Sequence, residues 1–245
     1  LNNLSVVLQM TGDYQGAKPI YDETIAIRRR RVSEASDPGD ESWSELATSL
    51  SNLASLHERL GAFDDARALY VEALDIRRAS SLVDDSPEAD NRLATTLNGL
   101  AGLLQAMGEL SLARAHQTEA LEVWRGFLGD EPHRQMAIGL SNLAGILRYE
   151  GDVVASRLRY EQSIQQWRAL YGDDHPSLGL TQQNLAMLLS MQGDASAATP
   201  LLEDSIRIMR GELGDDHPDV AAALTNLGSL YARQGDLKAA HELLE

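Results

Sequence analysis

Two five-residue blocks, Gly-Asp-Asp-His-Pro at 172–176 and again at 214–218, place His175 and His217 behind paired aspartates. Imidazole and carboxylate together could ligate a metal ion, but the two blocks stand a full 42 residues apart and each sits beside a proline suited to starting a helix. A helix-start role accounts for them without a metal. His57, His116, His133 and His241 share no common position, and no Ser–His–Asp constellation can be assembled from the pattern. With no cysteine in the chain, disulfides, zinc–thiolate sites and thiol catalysis are excluded. The expectation is a protein with no catalytic residues, no metal and no cofactor. Arg30-Arg31-Val32-Ser33 and Arg77-Arg78-Ala79-Ser80 match the pattern favoured by basophilic kinases. Arginines near a helix C-terminus followed by a turn serine explain the same residues structurally. One polar feature recurs that a core does not need: Asn3, Asn52, Asn142, Asn184 and Asn226, broken at Gly99. Asparagine is a poor residue inside a helix, so its repeated use needs a compensating bond.

The asparagines belong to a longer block that recurs along the whole chain. Leu-x-Asn-Leu stands at 1–4, 50–53, 140–143 and 224–227, with looser copies at 97–100 and 182–185. Eight residues after each copy comes a glycine (12, 61, 108, 151, 193, 235), and five residues later a small side chain: Ala17, Ala66, Ala113, Ser156, Ala198 or Ala240. Spacings between copies are 49, 47, 43, 42 and 42 residues, so the unit is about 42 residues long. Within it, Leu50, Leu53, Ala54, His57 and Leu60 mark one helical face, and Ala66, Leu69, Tyr70, Ala73 and Leu74 a second. The glycine ends the first helix. The acid after it (Asp13, Glu109, Asp152, Asp194, Asp236) can cap the second. A tight turn makes the two antiparallel, and the small residue lets them approach closely. Units are expected at about 1–42, 43–89, 90–132, 133–175, 176–217 and 218–245, the first and last incomplete, in a single array over 1–245. Ser33–Asp40 and Asp84–Asp90 read as longer surface loops.

A net charge of −16 disfavours nucleic acid and anionic membrane surfaces as partners, and no apolar run approaches the roughly 20 residues that span a bilayer. Cytoplasm is the default compartment. Arginine outnumbers lysine 19 to two, a bias that suits a GC-rich bacterial source. The chain starts at Leu1 and stops at Glu245 inside an amphipathic pattern, so it reads as a segment of a longer protein. Terminal units lacking a neighbour would leave apolar faces open to self-association.

The Leu-x-Asn-Leu-Ala, Gly-Asp-Tyr-x-x-Ala and Gly-Asp-Asp-His-Pro blocks together resemble tetratricopeptide repeats of the 42-residue variety seen in kinesin light chains and many bacterial signalling proteins. The resemblance covers essentially every residue. It implies an all-α fold, an α–α superhelix of about six antiparallel helix pairs in a right-handed curved stack. Gly99 departs from the pattern in place of Asn, Ser156 in place of Ala, and Gln117 and Leu202 in place of the tyrosine at 21, 70 and 160. Such arrays are interaction modules, so the resemblance implies a scaffold that binds a protein or peptide. A structural spacer or self-association module is the alternative. In the family, the first helix of each pair lines a concave groove, and the recurrent asparagine commonly bonds a bound peptide's backbone. A bond between neighbouring helices is the other reading of the same amide. The groove positions fall on Met10, Glu58, Arg59, Gln105, Arg148, Tyr149, Met187, Met191 and Arg233, beside Asn3, Asn52, Asn142, Asn184 and Asn226. That mixture suits an acidic peptide with one bulky apolar anchor.

Overall fold

Glycine in the left-handed backbone region ends a helix because it has no Cβ to clash there, and Gly151 (φ 84°) does so after the first helix of one pair. The Asp152 N–H bonds back to the Leu147 carbonyl at 2.9 Å, and the Asp152 side chain then accepts from Ala155 N at 3.1 Å to start the next helix. A positive-φ glycine recurs at the turn inside each pair, at 12, 61, 108, 193 and 235. In the computed structural model, which describes residues 5, 7–9, 11–34 and 41–244, the chain forms helices and no strand among those residues.

Eleven helices have defined bounds: α1 (Tyr14–Glu34), α2 (Glu41–Arg59), α3 (Phe63–Ser81), α4 (Pro87–Ala106), α5 (Leu110–Leu128), α6 (Arg134–Glu150), α7 (Val153–Tyr171), α8 (Pro176–Met191), α9 (Ala195–Leu213), α10 (Pro218–Gln234) and α11 (Leu237–Leu244). Five antiparallel pairs follow, α2/α3, α4/α5, α6/α7, α8/α9 and α10/α11, and α1 is the second helix of the pair before them. The chain divides into two compact units, Leu1–Gly129 and Asp130–Glu245. In the first, α1 packs on α2 and α3 on α4; in the second, α7 packs on α8 and α9 on α10. First helices also touch one another, α2 with α4, α6 with α8 and α8 with α10.

Each unit has its own core. Tyr21, Leu46, Leu50 and Leu56 lie at the centre of the first, and Trp167, Leu178, Leu188 and Ile208 in the second. Burying one such side chain contributes about 1.5–3 kcal/mol. The helices meet at the small positions: Ala17, Ala66, Ala113, Ser156 and Ala198 are fully buried. Serine is accommodated at 156 because its hydroxyl donates to the Ala144 carbonyl of α6 at 2.7 Å, and Ser163 does the same to Ala137 at 2.7 Å.

Two expectations need correction. Pro87–Asp90 is not loop: Ser86 accepts from Ala89 N at 3.2 Å as the N-cap and Pro87 occupies the first turn, where its missing N–H has no partner to lose. Glu109 does not cap α5; its longer side chain reaches Arg67 of α3 instead, at 2.6 Å. Asp13, Asp152, Asp194 and Asp236 do cap.

Histidines cap the first helices of the second unit. Nδ1 of His133, His175 and His217 accepts from the backbone N–H two residues on, at 3.3, 3.2 and 3.2 Å, opening α6, α8 and α10. His175 also stacks against both Trp167 (ring centroids 5.3 Å apart) and Tyr171 (4.3 Å). No three His, Asp or Glu side chains among the described residues converge as a metal site requires. The two roles separate by substitution. His217→Asn keeps a good cap and is expected to change stability by less than about 0.5 kcal/mol in urea denaturation. His175→Asn, which forfeits the stack, is expected to lose about 0.5–1.5 kcal/mol in the same measurement.

Candidate functional site

Asparagines of the recurrent block stand on the first helices: Asn52 on α2, Asn142 on α6, Asn184 on α8 and Asn226 on α10, each half-buried. Asn3, like Met10, lies outside the described residues. Asn142 is engaged, whereas among the described residues the side chains of Asn52, Asn184 and Asn226 meet no hydrogen-bond partner. An amide with two donors and two acceptor sites stays available at each.

Gly99 interrupts the ladder where the Tyr70 ring of α3 lies against α4. A Cβ at residue 99 would stand 2.9 Å from the ring, so the space that an asparagine would use is filled by the tyrosine. Burial pushes the Tyr70 hydroxyl far up, and the nearby Glu58 charge adds to the effect. Glu58 is itself raised, by burial, with Arg59 opposing. The neighbouring Asn98 accepts from Gln117 Nε2 at 3.1 Å, which ties α4 to α5 where the α2/α3 and α6/α7 pairs carry a tyrosine.

In the second unit four of the sequence-derived residues come together. Met187 and Met191 of α8 and Asn226 and Arg233 of α10 line one concavity of about 170 Å³, floored by Leu202 and Leu230. Arg233 reaches across it to Ser190 Oγ at 3.0 Å. No carboxylate lines the cleft and Arg233 is its one charged residue, so in an acidic chain it is a local site for negative charge. Sequence reasoning missed Ser190 and Ser229, both lining residues. Helical spacing could have found them, since Met187, Ser190 and Met191 fall at i, i+3, i+4 and Asn226, Ser229 and Arg233 at i, i+3, i+7.

The remaining residues are not drawn into this cleft. Tyr149 is 59% exposed, with the Arg148 guanidinium 4.4 Å from its ring centroid. Arg148 also serves Tyr160, whose hydroxyl is pushed up by burial while the arginine's charge and hydrogen bond oppose that shift. Arg59 is exposed at the end of α2 in the first unit. The two Arg-Arg-x-Ser segments are largely engaged: Arg31 pairs with Glu45 at 2.9 Å, Arg78 with Glu119 at 2.8 Å, and Arg77 is buried. Ser33 donates to the Arg30 carbonyl at 2.7 Å, as a helix-end serine should.

Comparison with known proteins places these features in a family. Family models described as tetratricopeptide repeat match residues 1–79, 135–211 and 198–245, and a second model of the same description matches 93–134. Among solved structures, BtubC (BKLC) from P. vanneervenii is similar at 23% identity, with a TM-score of 0.78 over 94% of this chain and 88% of that one. A kinesin light chain of Podosopora anserina with nearly identical TPR-like repeats matches at 23% identity and TM-score 0.67, over 80% and 90% of the two chains. The quorum sensor NprR from B. thuringiensis in its apo form matches at 14% identity and TM-score 0.71, over 98% of this chain and 60% of that one. No curated protein matches the chain in sequence.

Arg233 sits at the cleft without holding the fold. Replacing it by Ala removes one exposed hydrogen bond and is expected to change stability by less than about 0.5 kcal/mol. Trp167→Ala, in the core, is expected to cost about 3–5 kcal/mol, read by urea denaturation of both variants.

Proposed function

The chain belongs to the tetratricopeptide repeat family, and from that premise we propose that it is a scaffold binding a peptide or protein along its first helices. One observation carries the reading: in the α8–α10 cleft two methionines, an unpaired asparagine amide and a lone arginine face the same space. Asn184 and Asn226 supply backbone-directed hydrogen bonds, Arg233 takes a carboxylate, and the flexible methionines adapt to an apolar anchor. The preferred ligand is an acidic peptide with one bulky apolar residue. Asn142, Arg148 and Tyr149 continue the strip on α6 of the same unit, and Asn52 and Arg59 hold the equivalent positions on α2 of the first unit. The likeness in fold to the quorum sensor NprR supports an interaction scaffold. The setting we propose for it is a docking or sensing segment of a larger bacterial signalling protein in the cytoplasm.

Selection of displayed peptides on the purified chain tests the reading. Acidic sequences with a single large apolar residue are the expected outcome. The double substitution Asn184→Ala, Asn226→Ala removes two hydrogen bonds of roughly 1 kcal/mol each, so affinity should fall roughly 10- to 30-fold. Far-UV circular dichroism should not change, because alanine is the better helix former. Selection that yields no peptide, together with mass that rises with concentration in sedimentation, would favour the spacer or self-association alternative.

A further inference from the structure

One position varies in chemistry where the fold holds it constant. Twenty-four residues after the second leucine of each block stand Arg28, Arg77, Trp124, Trp167 and Met209. Trp124, Trp167 and Met209 are almost wholly buried and fill their sites with apolar volume. Trp124 donates its Nε1 to Asn91 Oδ1 of α4 at 3.0 Å. Arg28 is cationic but compensated, lying 3.7 Å from the Glu45 carboxylate. Arg77 is different from all of them. It is only 5% exposed, yet among the described residues it forms no ion pair with a carboxylate. Its two terminal nitrogens donate to neutral hydroxyls, Ser44 Oγ and Thr48 Oγ1 of α2, both at 2.6 Å, and its Nε is buried with no partner.

Beside Arg77 is a cavity of about 420 Å³, within the range that holds small ligands. A second arginine, Arg92 of α4, lines it too, and its Nε is likewise buried and unpartnered. Burial and the Arg92 charge pull the Arg77 guanidinium down to about 10, so it remains cationic at neutral pH. Three carboxylates line the cavity as well, and none of them pairs with Arg77. Glu45 is held by Arg31 at 2.9 Å, and Asp84 accepts from Ser86 N at 3.0 Å while keeping Arg92 at 3.7 Å. Glu41 is exposed at the start of α2, where water screens it. A buried cation without a counter-charge is strongly unfavourable, and its sibling repeats show that an apolar side chain fits the same position.

We propose that this cavity is an oxyanion site, in which a carboxylate or phosphate group of a small ligand sits between Arg77 and Arg92. The ligand supplies Arg77 with the counter-charge that the chain gives only to Arg92. The site does not depend on peptide binding at the α8–α10 cleft, which lies in the other unit. Its test is thermal unfolding of the whole chain with inorganic phosphate and, separately, with acetate, at ionic strength held constant by sodium chloride. At ten times its half-saturating concentration the bound anion should raise the melting midpoint by roughly 3–6 °C. The anion that saturates at lower concentration identifies the source as phosphoryl or carboxylate. Arg77→Trp should abolish the response by filling the cavity as the sibling tryptophans do. If that variant folds poorly, Arg92→Gln at the rim decides, with at least a tenfold rise in the half-saturating concentration. A response equal in the parent and in Arg92→Gln, or no saturable response to either anion, overturns the proposal.

Discussion

Helix pairs in this protein can stack only because their second helices present almost no side chain where they meet the first. Ala17, Ala66, Ala113 and Ala198 have no exposed surface, and any larger group there would force the backbones apart. Close approach of the paired helices leaves the opposite side of each first helix to carry its strip of polar residues. Ser156 shows how narrow the tolerance is. It adds one oxygen to the alanine, and that oxygen is absorbed by a carbonyl of the facing helix.

With backbone spacing fixed, the functional character of the array is written in the side chains that spacing leaves free. Asn184, Asn226 and Arg233 carry no share of the core, so their chemistry is available to a ligand. The same separation holds at the position of Arg77, Trp124, Trp167 and Met209. There the fold needs volume but accepts either an apolar filler or a cation with a void beside it. Ion pairs between successive second helices, Arg29 with Glu72 and Arg78 with Glu119, add register along the outside of the first unit without touching either site. They are exposed and contribute at most about 1 kcal/mol each.

Helix pairing was legible in the sequence because it depends on local periodicity and on turn chemistry, both of which repeat. The glycine, the following aspartate and the small residue each announce themselves at a constant offset. The loop expected at Pro87–Asp90 was misread because a proline signals both a helix start and a loop, and only the Ser86 cap decides between them. Histidine as an N-cap was read correctly in kind, though nothing in the spacing could show that His175 would stack on Trp167 and Tyr171. The cavity beside Arg77 was not legible at all. Its arginines are 15 residues apart in different helices, and in the sequence Arg77 reads like Arg78, as an arginine near a helix C-terminus. Burial, which no spacing reveals, is what separates it from the exposed Arg78.

The stack at the start of α8 has an optical consequence. Trp167 is the one tryptophan of the second unit, Trp43 and Trp124 both lying in the first. Its indole is buried and faces an imidazole and a phenol at 5.3 and 5.9 Å, where contact quenching of its emission is governed by the junction between α7 and α8. A chain whose other two tryptophans are replaced would thus carry a single native fluorophore. Its brightness would follow the opening and closing of one chosen junction, with no dye attached.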